Sequence, residues 1–256
     1  MKKQTPAPNK PLNKKPSAKN KAFALSNYFP LKPMHCYGVI AALTFLLYVN
    51  SLWNDYTLDD SIVIKENMFT QKGFAGIKDI LTSDVFVGFF KTEKNLVAGG
   101  RYRPLSVVTF AIEHQLFGDN ASISHLINLL LYALTGIAIF LFLTRLFSQS
   151  KFNFSNWLPL ISALLFIAHP LHTEAVTNIK GRDEIMTLLF SVLAANYFLK
   201  YYDSQKKISL LIASVCFFAA LLSKENAITW IAIFPLLFYF FRDFDFKKSI
   251  LPFIFS

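Results

Sequence analysis

The sequence predicts an all-α, polytopic membrane protein with interfacial helices in its first outer loop. Three observations carry this. Of 256 residues, 54% are hydrophobic and 28 are phenylalanine, while 16% are charged, against about 25% in a soluble domain. Apolar runs recur near 37–53, 123–147, 158–168, 185–199, 208–222 and 227–241, as a series of spans requires. Connections at 145–157, 200–207 and 242–248 lean basic, while those at 169–184 and 223–226 are balanced in sign. That alternation is the positive-inside pattern.

Residues 1–32 hold eight lysines and no acid. Such a segment buries too little apolar surface to fold, and it reads as a disordered basic cytoplasmic tail. The net charge of +10 then suits anionic lipid headgroups and topology signalling, not nucleic acid. Residues 33–256 form one membrane domain. No small-residue cleavage site follows the run at 37–53, so it is an uncleaved anchor that leads the chain to the outer face. Residues 55–122 form the outer loop, whose apolar clusters at 77–81 and 85–90 predict short interfacial helices. The run at 104–118 is interrupted by Glu113 and His114 and reads as interfacial or re-entrant. Residues 250–256 begin a seventh run too short to cross a bilayer, so the sequence reads as part of a longer product. Cys36 and Cys216 have neither disulfide-framework nor metal-ligand spacing.

This topology puts three polar segments on one side: Asp59-Asp60, the connection from His169 to Glu184, and Lys224-Glu225. Adjacent carboxylates near lipid can have their pKa values driven apart, which suits one of Asp59 and Asp60 to general-base work; a solvated acidic turn is the plainer alternative. Arg101, Arg103, Lys180, Arg182 and Lys224 offer partners for phosphate, arginine bidentately. His169, His172 and Glu174 lack the HExxH order and a further ligand, so no metal is expected there. Lys224-Glu225 fits an ion pair between two spans as well as a substrate contact. The sequence contains no Walker loop, dinucleotide turn or nucleophile elbow. A base beside phosphate-binding cations in a membrane suits a lipid-phosphate donor.

Several strings stand in order over roughly residues 45–230: Leu58-Asp59-Asp60, Gly100-Arg101-Tyr102-Arg103-Pro104-Leu105, His125-Leu126-Ile127-Asn128, His169-Pro170-Leu171-His172-Thr173-Glu174-Ala175-Val176, Gly181-Arg182-Asp183-Glu184 and Ser223-Lys224-Glu225-Asn226. Together they resemble the transmembrane and tetratricopeptide-repeat protein O-mannosyltransferases, which belong with the GT-C lipid-sugar-dependent glycosyltransferases. The resemblance implies a GT-C-like bundle of about a dozen helices, of which this chain is the N-terminal part. It implies transfer of a mannose-like sugar from a polyprenyl-phosphate donor to Ser or Thr hydroxyls of an acceptor protein, without cofactor or metal. Carried over, Asp59 or Asp60 is the base, Arg101, Arg103 and Arg182 hold the donor phosphate, and His172 and Glu174 orient donor or acceptor. His169, Glu184, Lys224 and Glu225 complete the expected binding set. The family also carries further spans and C-terminal repeats, which this sequence lacks. The composition suits a bacterial inner membrane, with the endoplasmic reticulum as the eukaryotic equivalent. A non-catalytic scaffold or transporter fragment is the alternative from another class.

Overall fold

A computed structural model of the chain describes residues 32–57, 59–92, 101–148 and 157–242. The basic tail up to residue 31 and the run at 250–256 lie outside the described residues, as does Leu58. Helix is the only regular structure among those described. In chain order the helices are α1 (Pro33–Tyr48), α2 (Asp60–Val63), α3 (Ile77–Thr82), α4 (Val85–Phe90), α5 (Pro104–Phe117), α6 (Ala121–Ser148), α7 (Leu158–Ala168), α8 (His172–Thr177), α9 (Arg182–Ser204), α10 (Lys207–Ser223) and α11 (Trp230–Phe241). Short 3-10 segments at Val49–Trp53, Thr70–Gly76, Ile179–Gly181 and Glu225–Thr229 link them. The start of α5 is set by Pro104, whose fixed φ and missing N–H suit a first helical turn.

Among the described residues, three helical stretches are long and apolar enough to cross a membrane: Pro33–Trp53, Ala121–Ser148 and Ile179–Ser204. Three others fall short of that length: Leu158–Ala168, Lys207–Ser223 and Glu225–Phe241. Three of the six apolar runs read as spans, 158–168, 208–222 and 227–241, lie in these shorter helices. At 1.5 Å per residue, α7 is about 16 Å long, roughly half the hydrocarbon core.

Contacts between the long helices fix their directions. Tyr48, at the end of α1, donates to the Ile167 carbonyl at the end of α7, while Tyr37 packs on Phe140, far along α6. Asn128, early in α6, meets Ile179 just before α9. Arg145 meets Asn196 toward the other end of the same two helices. Helices α1, α7 and α10 therefore run toward one end of the bundle, and α6, α9 and α11 run away from it. Close approach in this core depends on Gly136. A Cβ there would lie 2.7 Å from Ile167 Cδ1 and 2.8 Å from Ile40 Cγ2, so α1, α6 and α7 meet over a bare backbone.

The short helices α3 and α4 form where the apolar clusters at 77–81 and 85–90 predicted them. Ile80 of α3 and Phe69 pack against Val107 and Ala111 of α5. Asn67 organises the loop, donating to the Ile62 and Val85 carbonyls and accepting from the Phe69 amide.

Two buried guanidiniums hold the two ends. At the far end, Arg242 forks onto both oxygens of Asp203 and donates to the Leu146 and Arg145 carbonyls, closing the end of α6. At the near end, Arg182 has no exposed surface. It ion-pairs with Glu113 of α5, donates to Thr109 at 3.0 Å and to the Ser124 carbonyl at 3.0 Å, and donates through Nε to Asn128 at 2.7 Å. Its guanidinium lies 4.2 Å from the Phe110 ring centre. The assignment of Arg182 to a donor phosphate is thereby corrected: every direction it faces is filled by protein. Glu113, which the sequence offered only as an interruption, is its counter-charge. Breaking a buried pair from one side leaves an uncompensated charge. Glu113→Gln is expected to destabilise the protein by about 3–5 kcal/mol, read as lost thermal stability in detergent; a change below about 1 kcal/mol would show that the pair is not desolvated.

Candidate active site

The near end of the bundle gathers the three polar segments. Asp60 starts α2 and is 1% exposed. Its Oδ1 accepts from the Lys180 amide at 2.8 Å and its Oδ2 from the Thr57 amide at 2.9 Å. Asp59, with 49% of its side chain exposed, accepts from Lys180 Nζ at 2.7 Å. The acid pair thus grips the turn at 179–181 by both its backbone and its side chain. That turn is tight because Gly181 allows it: a Cβ there would lie 2.3 Å from the Ala175 carbonyl oxygen. Asn178 caps the turn by accepting from the Lys180 amide, and its own carbonyl accepts from Asn128.

From the other side come Arg103 and the connection between α10 and α11. Arg103 donates to Asp183 at 2.8 Å and forks onto Glu225 at 2.9 and 2.6 Å. Lys224 pairs with Glu184 at the start of α9. The shared end that the connections implied is therefore observed as contacts between named side chains.

Between these pairs lies a cleft of about 830 Å³. Arg101, Arg103, Lys180, Asp183, Glu184, Lys224, His172 and Glu174 line its polar part, and Tyr132, Phe166, Ile185, Leu188 and Trp230 its apolar part. His172 is held by the Phe166 carbonyl and the Tyr132 hydroxyl, both 2.8 Å from Nδ1. A carbonyl only accepts, so Nδ1 carries a proton, and the tautomer with that single proton offers Nε2 as an acceptor. Glu174 is exposed and makes no side-chain hydrogen bond or ion pair among the described residues. Arg101 lies 5.5 Å from the Phe86 ring centre and has no ion pair among them.

The expected residues divide as follows. Arg101, Arg103, His172, Glu174, Glu184 and Lys224 line the cleft. Glu225 stands behind Arg103 at the rim, and His169 lies exposed outside, accepting from the Leu171 amide. Asp59 reaches the cleft only through Lys180. Asp60 is corrected from base to anchor, because both its oxygens are committed to backbone amides. No cluster of three or more His, Cys, Asp or Glu that could hold a metal occurs among the described residues. Sequence reasoning missed Asp183, Asn178, Tyr132 and Trp230; for Asp183 the signal was its place between Arg182 and Glu184.

Among the described residues, four cations stand around the cleft with five carboxylates: Arg101, Arg103, Lys180 and Lys224 with Asp59, Glu174, Asp183, Glu184 and Glu225. The pairing shifts the groups. The Lys180 hydrogen bond and charge hold the Asp59 carboxyl below the usual range, with Arg101 adding to this. Arg103 does the same to Glu225. Burial works against the charged form of Arg103, but its bonds to Glu225 and Asp183 outweigh that and raise it. Burial pulls the Lys224 ammonium down.

These features define a helical membrane protein with a preformed, ion-paired cleft at one end of its bundle. The chain belongs to the TMTC protein O-mannosyl-transferase family. It is 31% identical over 207 residues to protein O-mannosyl-transferase TMTC2 of Mus musculus, covering 76% of this chain and 23% of that protein. It is 33% identical over 175 residues to TMTC1 of Homo sapiens, covering 68% and 18%. With Tmtc1 of Drosophila melanogaster it shares 30% over 189 residues, covering 74% and 21%. The chain spans less than a quarter of the length of these relatives. No family model and no solved structure matches it.

The lowered carboxyls fix a pH dependence. A carboxyl whose folded pKa is depressed stabilises the protein above its unfolded value, near 4 for Asp and Glu, and loses that contribution as pH falls through the folded value. Thermal stability in detergent is therefore expected to fall below about pH 4, and Glu225→Gln to flatten that fall. An unchanged slope would mean that the Arg103 fork adds nothing to stability.

Proposed function

We propose that this chain is the catalytic end of a membrane glycosyltransferase that moves a mannose-type sugar from a polyprenyl phosphate to serine or threonine hydroxyls of proteins. The observation that carries this reading is Asp59 beside Lys180, at the edge of a cleft with charged groups at one part and aromatic and aliphatic groups at the other. An isoprenoid phosphate has the same division. Its tail lies along Ile185, Leu188 and Trp230, and its phosphate meets Arg101, Lys180 and Lys224. Arg103, held between two carboxylates, shapes that end and adds positive potential. His172 Nε2 and Glu174 are free to accept from sugar hydroxyls. Names of the relatives support protein O-mannosylation, and the donor is inferred from the cleft.

Asp59 is the base in this reading. One of its oxygens has no hydrogen bond among the described residues, whereas both oxygens of Asp60 are engaged. The hydroxyl oxygen attacks the anomeric carbon, Asp59 takes its proton, and the lipid phosphate departs with the bonding pair into the field of the cations. No cofactor takes part. Arg145, Lys200, Lys206, Lys207 and Arg242 gather at the opposite end of the bundle, which the positive-inside rule assigns to the cytoplasm. The cleft then opens on the outer or luminal face.

The test uses membranes containing the protein, radiolabelled polyprenyl-phosphate mannose and a Ser/Thr-rich peptide. Asp59→Asn is expected to lower transfer by about a hundredfold or more while costing no more stability than a half-exposed ion pair, about 1 kcal/mol or less. Asp60→Asn instead lowers stability, because it weakens the anchor of the 179–181 turn. Wild-type transfer by Asp59→Asn would remove Asp59 as base.

A further inference from the structure

Lys180 is the side chain that joins the acid pair to the cleft. Its backbone amide is pinned by Asp60 Oδ1 at 2.8 Å and Asn178 Oδ1 at 3.1 Å, so its Cα is fixed. Among the described residues its ammonium is held by one bond to one carboxylate, Asp59, at 2.7 Å. Arg103 is bound differently, forked between Asp183 and Glu225, and a rigid fork on two carboxylates does not swing. Lysine is a point charge on a flexible stem and does. A phosphate that enters this cleft finds most of its cations already paired, so it gains them by exchange with carboxylates. Lys224 can also exchange, but its release uncovers Glu184. Release of Lys180 uncovers the one carboxylate of the acid pair that no backbone amide claims.

We propose that Lys180 is a donor-operated latch on Asp59: in the empty cleft its ammonium occupies the carboxylate, and the donor phosphate draws it away so that Asp59 can take the acceptor proton. This deepens the glycosyl-transfer reading and rests on it. The step balances. The acceptor oxygen bonds to the anomeric carbon, the bond from that carbon to the phosphate oxygen breaks, its electron pair leaves on the polyprenyl phosphate, and the hydroxyl proton goes to Asp59. Lys180 acts as a positioning residue, moving from base to leaving group as negative charge moves the same way. The charged groups that face Asp59 are Lys180 from the 179–181 turn and Arg101 from the segment before α5. Helix α4, packed on α2, brings no titratable side chain. Loss of the Lys180 bond therefore removes the main influence holding the Asp59 carboxyl low, and a carboxylate of higher pKa is the better base.

The experiment is a pH series of steady-state kinetics in the same membranes with saturating acceptor peptide. The acid limb of kcat/KM for the donor reports the free enzyme, and that of kcat the donor complex. The latch requires the wild-type kcat limb to lie at higher pH than the kcat/KM limb. In Lys180→Gln the two limbs coincide at the higher position, and the donor KM rises about tenfold or more. Because Asp60 holds the Lys180 backbone amide, Gln at 180 leaves the anchor in place; if that variant does not fold, the wild-type separation decides. Coincident limbs in the wild type, or an unchanged separation in Lys180→Gln, overturn the latch while transfer itself stands. A wild type that transfers no sugar overturns the reading beneath it, and the latch with it.

Discussion

A guanidinium sealed inside a membrane bundle and shut off from bulk solvent must be answered by protein groups. Arg182 is answered by Glu113, Thr109, Asn128 and the Ser124 carbonyl, and these groups come from two other helices. The start of α9 is therefore locked to α5 and α6 at one point. Asn128 extends the lock by donating to the Asn178 and Ile179 carbonyls, and the turn that follows carries Lys180 to the acid pair. The site is built outward from that buried charge. Its surface pairs would be worth little alone in water, but here they stand on a frame that holds them in register.

The balance of charge around the cleft sets how it can bind an anion. A cleft of free cations would attract phosphate strongly and hold its product as strongly. This one is close to neutral among the described residues, so an anion that entered it would have to displace carboxylates, and on leaving would let them return. Arg101, stacked near Phe86 without a carboxylate among the described residues, is the cation that offers first contact without exchange. The two aspartates differ along the same line: both oxygens of Asp60 hold backbone amides, whereas Asp59 holds only the Lys180 ammonium among the described residues.

Much of this could be read from residues alone. Alternating basic and balanced connections placed Asp59-Asp60, the 169–184 connection and Lys224-Glu225 at one end, and apolar clusters at 77–81 and 85–90 marked short helices. What the sequence could not say is which way a charged side chain points. Arg182 lies between Gly181 and Asp183, at the polar start of a helix, where an outward direction is as consistent with the pattern as an inward one; the decisive fact, Glu113, lies 69 positions away. Asp60 could not be told from Asp59 because the distinction is which backbone amides come within reach. Helix α7 was read as a span from its apolar character, which composition supplies, while its length depends on where the chain turns. Asp183 was overlooked because its partner, Arg103, is equally remote in sequence.

The claim on which the account stands is that the cleft holds an isoprenoid phosphate with its tail between the aromatic and aliphatic side chains of α6, α9 and α11. Photolabelling tests it directly. A polyprenyl phosphate carrying a diazirine on the isoprene unit nearest the phosphate would be irradiated with the protein in membranes, and the labelled peptides mapped. Label is expected on Ile185, Leu188 or Trp230, competed away by unlabelled polyprenyl phosphate. Label concentrated at the opposite end, on Phe147 or Phe241, or label that unlabelled lipid does not displace, would contradict it.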